Sequence, residues 1–186
     1  MAIQLRGGGA LINSIDLLTR AEIKQGDSVA EFGCGTSGHL IFPAAHLVGK
    51  SGKVYAIDIL KPALEAMESR AKMEGVENVE TVWADLERPG ALKIADASVD
   101  LVILLHIVGQ VKEKEIMCRE AARILKPGGT ILIADWKITA TPFGPPPEKR
   151  LNPTMAKQLA SAAGGELKQE FDAGPYHYGL VFKRKS

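Results

Sequence analysis

The sequence predicts an α/β fold in which a mostly parallel sheet is covered on both faces by helices. Three observations carry that prediction. Short apolar runs alternate with stretches of helical period, the pattern of βαβ units. One run, Val99 to Leu105, is apolar almost throughout, as a strand buried on both faces has to be. Near the end of the chain the alternation breaks. Two strand-like runs stand there only a tight turn apart, and so close a pair can only be antiparallel.

Ala10 to Ile23 has the helical period, and Gly26-Asp27 ends it. Ser28 to Phe32 is a short strand that runs into Gly33-Cys34-Gly35-Thr36-Ser37-Gly38. A helix is expected from His39 to Val48, with Pro43 in its first half. Lys53 to Ile59 is the second strand. Pro62 suits the first turn of a helix reaching about Met73. Val79 to Trp83 is the third strand, Ala84 to Ser98 a polar loop, and Val99 to Leu105 the fourth strand. Lys112 to Leu125 is a helix that Lys126-Pro127-Gly128-Gly129 stops, and Thr130 to Ala134 is the fifth strand. Ile138 to Pro153 holds five of the ten prolines and is expected to be a stiffened loop. Pro153 to Ala163 is a helix, and Leu167–Phe171 and Tyr176–Phe182 form the closing hairpin. The result is a Rossmann-like, doubly wound, seven-stranded sheet, parallel except for its C-terminal antiparallel hairpin. It forms one domain over residues 1–186, with an N-terminal segment and helix (1–25) and a candidate substrate loop (138–152).

Composition removes several function classes. Hydrophobic residues make up 46% of 186, so the chain can bury a core. A net charge of +1 and 5% aromatic residues offer little to a nucleic acid. Cys34 and Cys118 are too few for a disulfide framework or a zinc site. No apolar run approaches the ~20 residues of a membrane span. The N-terminus lacks a secretory h-region, so a cytoplasmic protein, monomeric or homodimeric, is expected.

Gly33 to Gly38 matches G-x-G-x-x-G between a strand and a helix, the context of a nucleotide-cofactor loop. Charge around the loop narrows the ligand. Glu31 stands two residues before Gly33, where it would repel a pyrophosphate and attract an ammonium or sulfonium. S-adenosylmethionine carries both cations and no phosphate. Its carboxylate can use backbone N–H groups at the helix start. Asp58 ends the second strand and can accept hydrogen bonds from ribose hydroxyls. That feature alone would serve NAD equally. Asp85 follows the third strand and can accept from an adenine amine, with Leu86 offering its backbone N–H. In a parallel sheet these carboxylates meet at the carboxyl edge.

Val29-Ala30-Glu31-Phe32-Gly33-Cys34-Gly35-Thr36, Val54–Asp58, Ala84-Asp85-Leu86, Val99–Val102 and Leu125-Lys126-Pro127-Gly128-Gly129-Thr130 together resemble the successive motifs of class I S-adenosylmethionine-dependent methyltransferases. The resemblance spans about Ile23 to Asp135 and leans toward the small-molecule group similar to ubiquinone/menaquinone-biosynthesis enzymes. It implies roles. Glu31, Gly33, Cys34 and Gly35 line the methionine part of the cofactor. Asp58 holds the ribose with Ile59 near the adenine, and Asp85 and Leu86 hold the adenine. Leu105 and His106 face the methyl-transfer site. Arg6-Gly7-Gly8-Gly9 folds over the cofactor. The implied products are S-adenosylhomocysteine and a methylated small molecule.

In-line attack on a sulfonium methyl asks a protein mainly for alignment and exclusion of water. His106 is the candidate base by position. His177 faces away from Tyr176, Tyr178 and Phe182 on the last strand; packing of strand aromatics on a helix is the expectation there. Leu104-Leu105-His106-Ile107 lacks the Pro-Pro-aromatic motif that goes with methylation of base amines, and two cysteines are too few for arsenite chemistry. The acceptor is expected to bind at the Pro-rich loop, where Glu148, Lys149 and Arg150 supply charges that could pair with it. An NAD-dependent oxidoreductase and a non-catalytic cofactor-binding module are the alternatives.

Overall fold

The computed structural model describes residues 11–139, 141 and 144–185. Seven strands form one sheet: β1 (Ser28–Phe32), β2 (Lys53–Asp58), β3 (Val79–Trp83), β4 (Val99–Leu105), β5 (Leu125–Trp136), β6 (Gly165–Asp172) and β7 (His177–Arg184). Their order is β3-β2-β1-β4-β5-β7-β6. The first five are parallel, with Phe32 beside Ile57 and Leu105 beside Ala134. β7 runs antiparallel to both β5 and β6, which places His177 beside Trp136.

Helices α1 (Ser14–Arg20), α2 (Ile41–Val48) and α3 (Lys61–Glu74) cover one face, and α4 (Lys114–Ile124) and α5 (Pro153–Ala162) the other. Each layer seals its own apolar cluster. Leu17, Ile41, Phe42 and Met67 pack on Val29, Ile103 and Leu132. Met117, Ile124 and Ala156 pack on Val102, Ile133 and Phe182. Full burial of such side chains stabilises by about 1.5–3 kcal/mol each. Local signals fix the helix ends. The Asn13 and Asn152 side chains accept from the Asp16 and Thr154 N–H groups, standard N-caps. Gly75 closes α3 in the left-handed region.

Boundaries differ from expectation in informative places. α2 starts at Ile41 rather than His39, so Pro43 lies in the first turn, where its missing N–H costs nothing. Helix α4 ends at Ile124, ahead of Lys126-Pro127-Gly128-Gly129 as expected, but the fifth strand starts before these residues rather than at Thr130. β5 begins at Leu125, paired with Val99, and the next pair is Thr130 with Leu101. The four residues form an irregularity inside one long strand, with Gly128 at a φ of 74°.

Candidate active site

The chain turns sharply out of β1 because the Gly33 and Cys34 N–H groups both donate to the Ile57 carbonyl, at 2.8 and 3.0 Å. Gly33 has a φ of 70°, and a Cβ there would stand 2.7 Å from Ile107, so glycine is required. Gly35 has a φ of 60° and nothing within 4 Å of such a Cβ. Its bare backbone faces open space, as close approach of a ligand demands. The Gly35 N–H donates to Asp58 Oδ2 and the Leu60 N–H to Asp58 Oδ1, each at 2.9 Å. Asp58 thus ties the glycine loop to the end of β2.

Glu31 is 3% exposed, and its Oε2 has no hydrogen-bond partner among the described residues. Burial, then the nearby Asp58 charge, pushes its carboxyl up to about 8. Glu31 thus leaves an unpartnered buried carboxyl oxygen beside the glycine loop, a group that a cation would pair with in its ionised form. Cys34 is buried, and burial with the Glu31 and Asp58 charges raises its thiol well above the ordinary range. It packs there and is no nucleophile. Asp85 Oδ1 accepts from the Glu87 N–H at 3.1 Å, and Oδ2 lies 3.4 Å from Arg88. Leu86 is buried, while Ile59, just past β2, is 49% exposed. Trp83 Nε1 donates to the Ile59 carbonyl at 2.8 Å and holds that segment.

The fourth strand ends at His106, a non-glycine residue with a φ of 57°, the kind of backbone strain that clusters at functional sites. The His106 N–H donates to the Ala134 carbonyl at 2.9 Å. Its ring stacks on Trp136, with centroids 5.3 Å apart and planes at 18°, and meets His177 at 4.8 Å. Trp136 and His177 are 4.1 Å apart. His177 is fully buried, and neither of its nitrogens, nor His106 Nε2, has a hydrogen-bond partner among the described residues. Burial lowers His106 to about 3 and His177 to about 4, helped for His177 by the charges of Arg150 and Lys137. Both imidazoles are therefore neutral near pH 7. On the opposite face of β5, Asp135 Oδ1 accepts from the Trp136 N–H while Oδ2 is unpartnered, and burial raises that carboxyl to about 7.

The structure thus gathers Glu31, Gly33, Cys34, Gly35 and Asp58 into one cradle at the carboxyl edge. Asp85 and Leu86 follow β3, and Leu105 and His106 close β4 at the same edge. Arg6–Gly9 lies outside the described residues. Asp135 and the ring contacts of Trp136 with His106 and His177 were not predicted. Their juxtaposition depends on the β5–β7 register, and the one available signal was the aromatic run Tyr176-His177-Tyr178. Arg150 is a correction. It is 8% exposed and turned into its own loop rather than toward a ligand, whereas Glu148 and Lys149 are exposed.

Residues 23–174 match the family model of a methyltransferase domain. The chain belongs to that family. This methyltransferase domain is of the S-adenosylmethionine-dependent class I type, and its sheet order with the closing antiparallel hairpin is that of the class. It is 32% identical over 157 residues to the ubiquinone/menaquinone biosynthesis C-methyltransferase UbiE of Cronobacter sakazakii, covering 84% of this chain and 59% of that protein. It is 32% identical over 133 residues to an arsenite methyltransferase of Halobacterium salinarum, covering 72% of this chain and 32% of the relative. The methyltransferase domain therefore spans about a third to three-fifths of the length of these curated relatives. Its fold matches the crystal structure of an S-adenosylmethionine-dependent methyltransferase from Aquifex aeolicus, with a TM-score of 0.88 and 24% identity over 96% of this chain and 93% of that one.

Proposed function

We propose that the domain transfers the methyl group of S-adenosylmethionine to a small-molecule acceptor. The observation that carries this reading is the cradle of Glu31 and Asp58 behind the open backbone of Gly35. The unpartnered Glu31 oxygen suits an ammonium, and the same carboxylate would repel a pyrophosphate. Asp58, with Ile59 beside it, suits a ribose and its base, and Asp85 with the Leu86 N–H suits the adenine edge.

When bound, S-adenosylmethionine supplies an electrophilic methyl on a cationic sulfur. The chain's part is to orient and to exclude water. Glu31 and Asp58 fix one side of the cleft, and Leu105, His106, Trp136 and His177 form the other. We assign the His106 imidazole as a hydrogen-bond acceptor for the nucleophile, its Nε2 being unpartnered, though buried, in the ligand-free chain. With a proton affinity as low as burial leaves it, the imidazole orients that nucleophile more than it ionises it.

The relatives named above act, by their names, in quinone biosynthesis and on arsenite, both small-molecule settings. A thiol-bound acceptor fits this chain poorly. Cys34 and Cys118 are buried in separate clusters on opposite faces of the sheet.

Calorimetric titration with S-adenosylmethionine, S-adenosylhomocysteine and NAD⁺ tests the proposal. Micromolar binding of the first two, lost in Asp58→Ala, is expected. Binding of NAD⁺ alone, or of none, overturns it.

A further inference from the structure

Arg150 has an unusual place for a charged side chain. It is 8% exposed and sits in a proline-rich segment. Removing a guanidinium from water is costly unless its N–H groups are satisfied. Here the loop itself satisfies them. Arg150 Nε donates to the Pro145 carbonyl at 2.7 Å. Nη1 donates to the Lys137 and Thr139 carbonyls at 2.7 and 2.8 Å. Nη2 donates to Thr141 Oγ1 at 2.8 Å. One side chain thus ties together residues up to 13 positions apart.

The same guanidinium lies 5.6 Å from the Trp136 ring centroid, within cation–π range. Gly144 presses on that indole so closely that a Cβ would stand 2.7 Å from it. Trp136 in turn contacts His106 and His177. A continuous chain of contacts therefore runs from Arg150, through the loop and Trp136, to the two imidazoles.

We propose that Arg150 is a positioning residue. It ties the described loop residues to Trp136 and so fixes the His106–Trp136–His177 wall; Trp136 and His177 are buried, and His106, the partly exposed member, is the one placed to meet the methyl acceptor. This rests on the proposed reading of that wall as the acceptor side of the cleft. Lysine cannot replace it, because one ammonium with three hydrogens cannot span four acceptors spread around a planar fork.

The test uses the full chain in a Trp83→Phe background, which leaves Trp136 as the single indole. Arg150→Lys and Arg150→Ala are compared with that parent. Three quantities are read: amide hydrogen exchange at Lys137, Lys149 and residue 150, whose N–H groups donate to the Tyr176, Pro146 and Pro147 carbonyls, the emission maximum of Trp136, and S-adenosylmethionine affinity by calorimetry. In both variants exchange at those amides is expected to speed up at least tenfold and emission to shift to the red. Millimolar methylguanidine is expected to restore the emission of Arg150→Ala. Cofactor affinity is expected to stay within twofold of the parent.

Parental exchange and emission in both variants would overturn the proposal. So would faster exchange spread through β1 to β4 in Arg150→Lys, since the arginine would then serve the whole fold. Protein with both tryptophans intact that fails to bind S-adenosylmethionine sinks the proposed function instead, and the loop result is still read independently.

Discussion

At the amino edge of the sheet, Asp100 uses both carboxylate oxygens: Oδ2 accepts from the Ser28 N–H at 2.9 Å, and both accept from Lys126 Nζ at 2.8 Å. Arg123 bonds Glu120 and the Leu92 and Ile94 carbonyls, and Lys183 meets Thr130 and Glu22. At the carboxyl edge the pattern is reversed. All five buried side-chain atoms without a partner among the described residues belong to Glu31, His106, Asp135 and His177. Each of these stands where β1, β4 or β5 ends or where the antiparallel β7 begins. A buried polar group left unpaired costs about 1–3 kcal/mol. The amino edge holds the fold together, and the carboxyl edge carries an energetic debt that a bound ligand can relieve.

Substitutions at the two edges sharpen this contrast. The largest effect is expected at Asp58→Ala. It removes the acceptor for two backbone N–H groups and for a cofactor hydroxyl pair, so cofactor affinity should fall at least about a hundredfold, roughly 2.7 kcal/mol or more. Its amino-edge counterpart, Asp100→Ala, should lower stability by about 2 kcal/mol, or roughly 4–8 °C in melting temperature, with unchanged cofactor affinity. Calorimetry and thermal melts on the two variants would break the comparison if the roles came out exchanged.

A pH series is expected to show the next largest effect. Folded Glu31 and Asp135 keep a proton up to about pH 8 and 7 that the unfolded chain releases near 4.5 and 3.8. Folded His106 and His177 refuse, down to about pH 3 and 4, a proton that the unfolded chain takes near 6.5. The acids make stability fall as pH rises, and the imidazoles make it climb. Between pH 4.5 and 6.5 the two trends offset each other. Above 6.5 only the acids remain, so the ligand-free chain loses stability toward pH 8, by up to about 1.4 kcal/mol per proton per pH unit. Glu31→Gln should flatten that decline in melts at pH 6.5 and 8. The smallest effect is expected where charges are solvated. Lys157→Ala breaks the surface pair with Glu170 and should change stability by less than about 0.5 kcal/mol.

The placement of Glu31, the glycine loop and Asp58 at one edge of the sheet was legible in the sequence because its information is local. Glu31, the glycines and Asp58 sit at strand ends that short apolar runs announce. The wall around Trp136 was not. Trp136 meets His177 only through the register of two strands whose pairing residues lie far apart in sequence. Arg150 looked like a surface charge because Glu148 and Lys149 beside it are surface charges. Only the folded loop shows which of the three turns inward. Lys126–Gly129 does stop the helix, as proline and glycine usually do, but only the pairing on either side shows that the fifth strand runs across them.

The sheet order has a consequence for timing during synthesis. β7 is the last described strand to be made, yet it lies inside the sheet between β5 and β6. Glu31, the glycine loop and Asp58 all precede β3 and are made long before β7. Until residues 177–184 emerge, β5 keeps one edge bare and Trp136 lacks His177 beside it. An open edge of that kind invites pairing with another nascent chain. The seventh strand therefore acts as a latch, and a ribosome that stalls shortly before it would release a chain with the edge of β5 exposed.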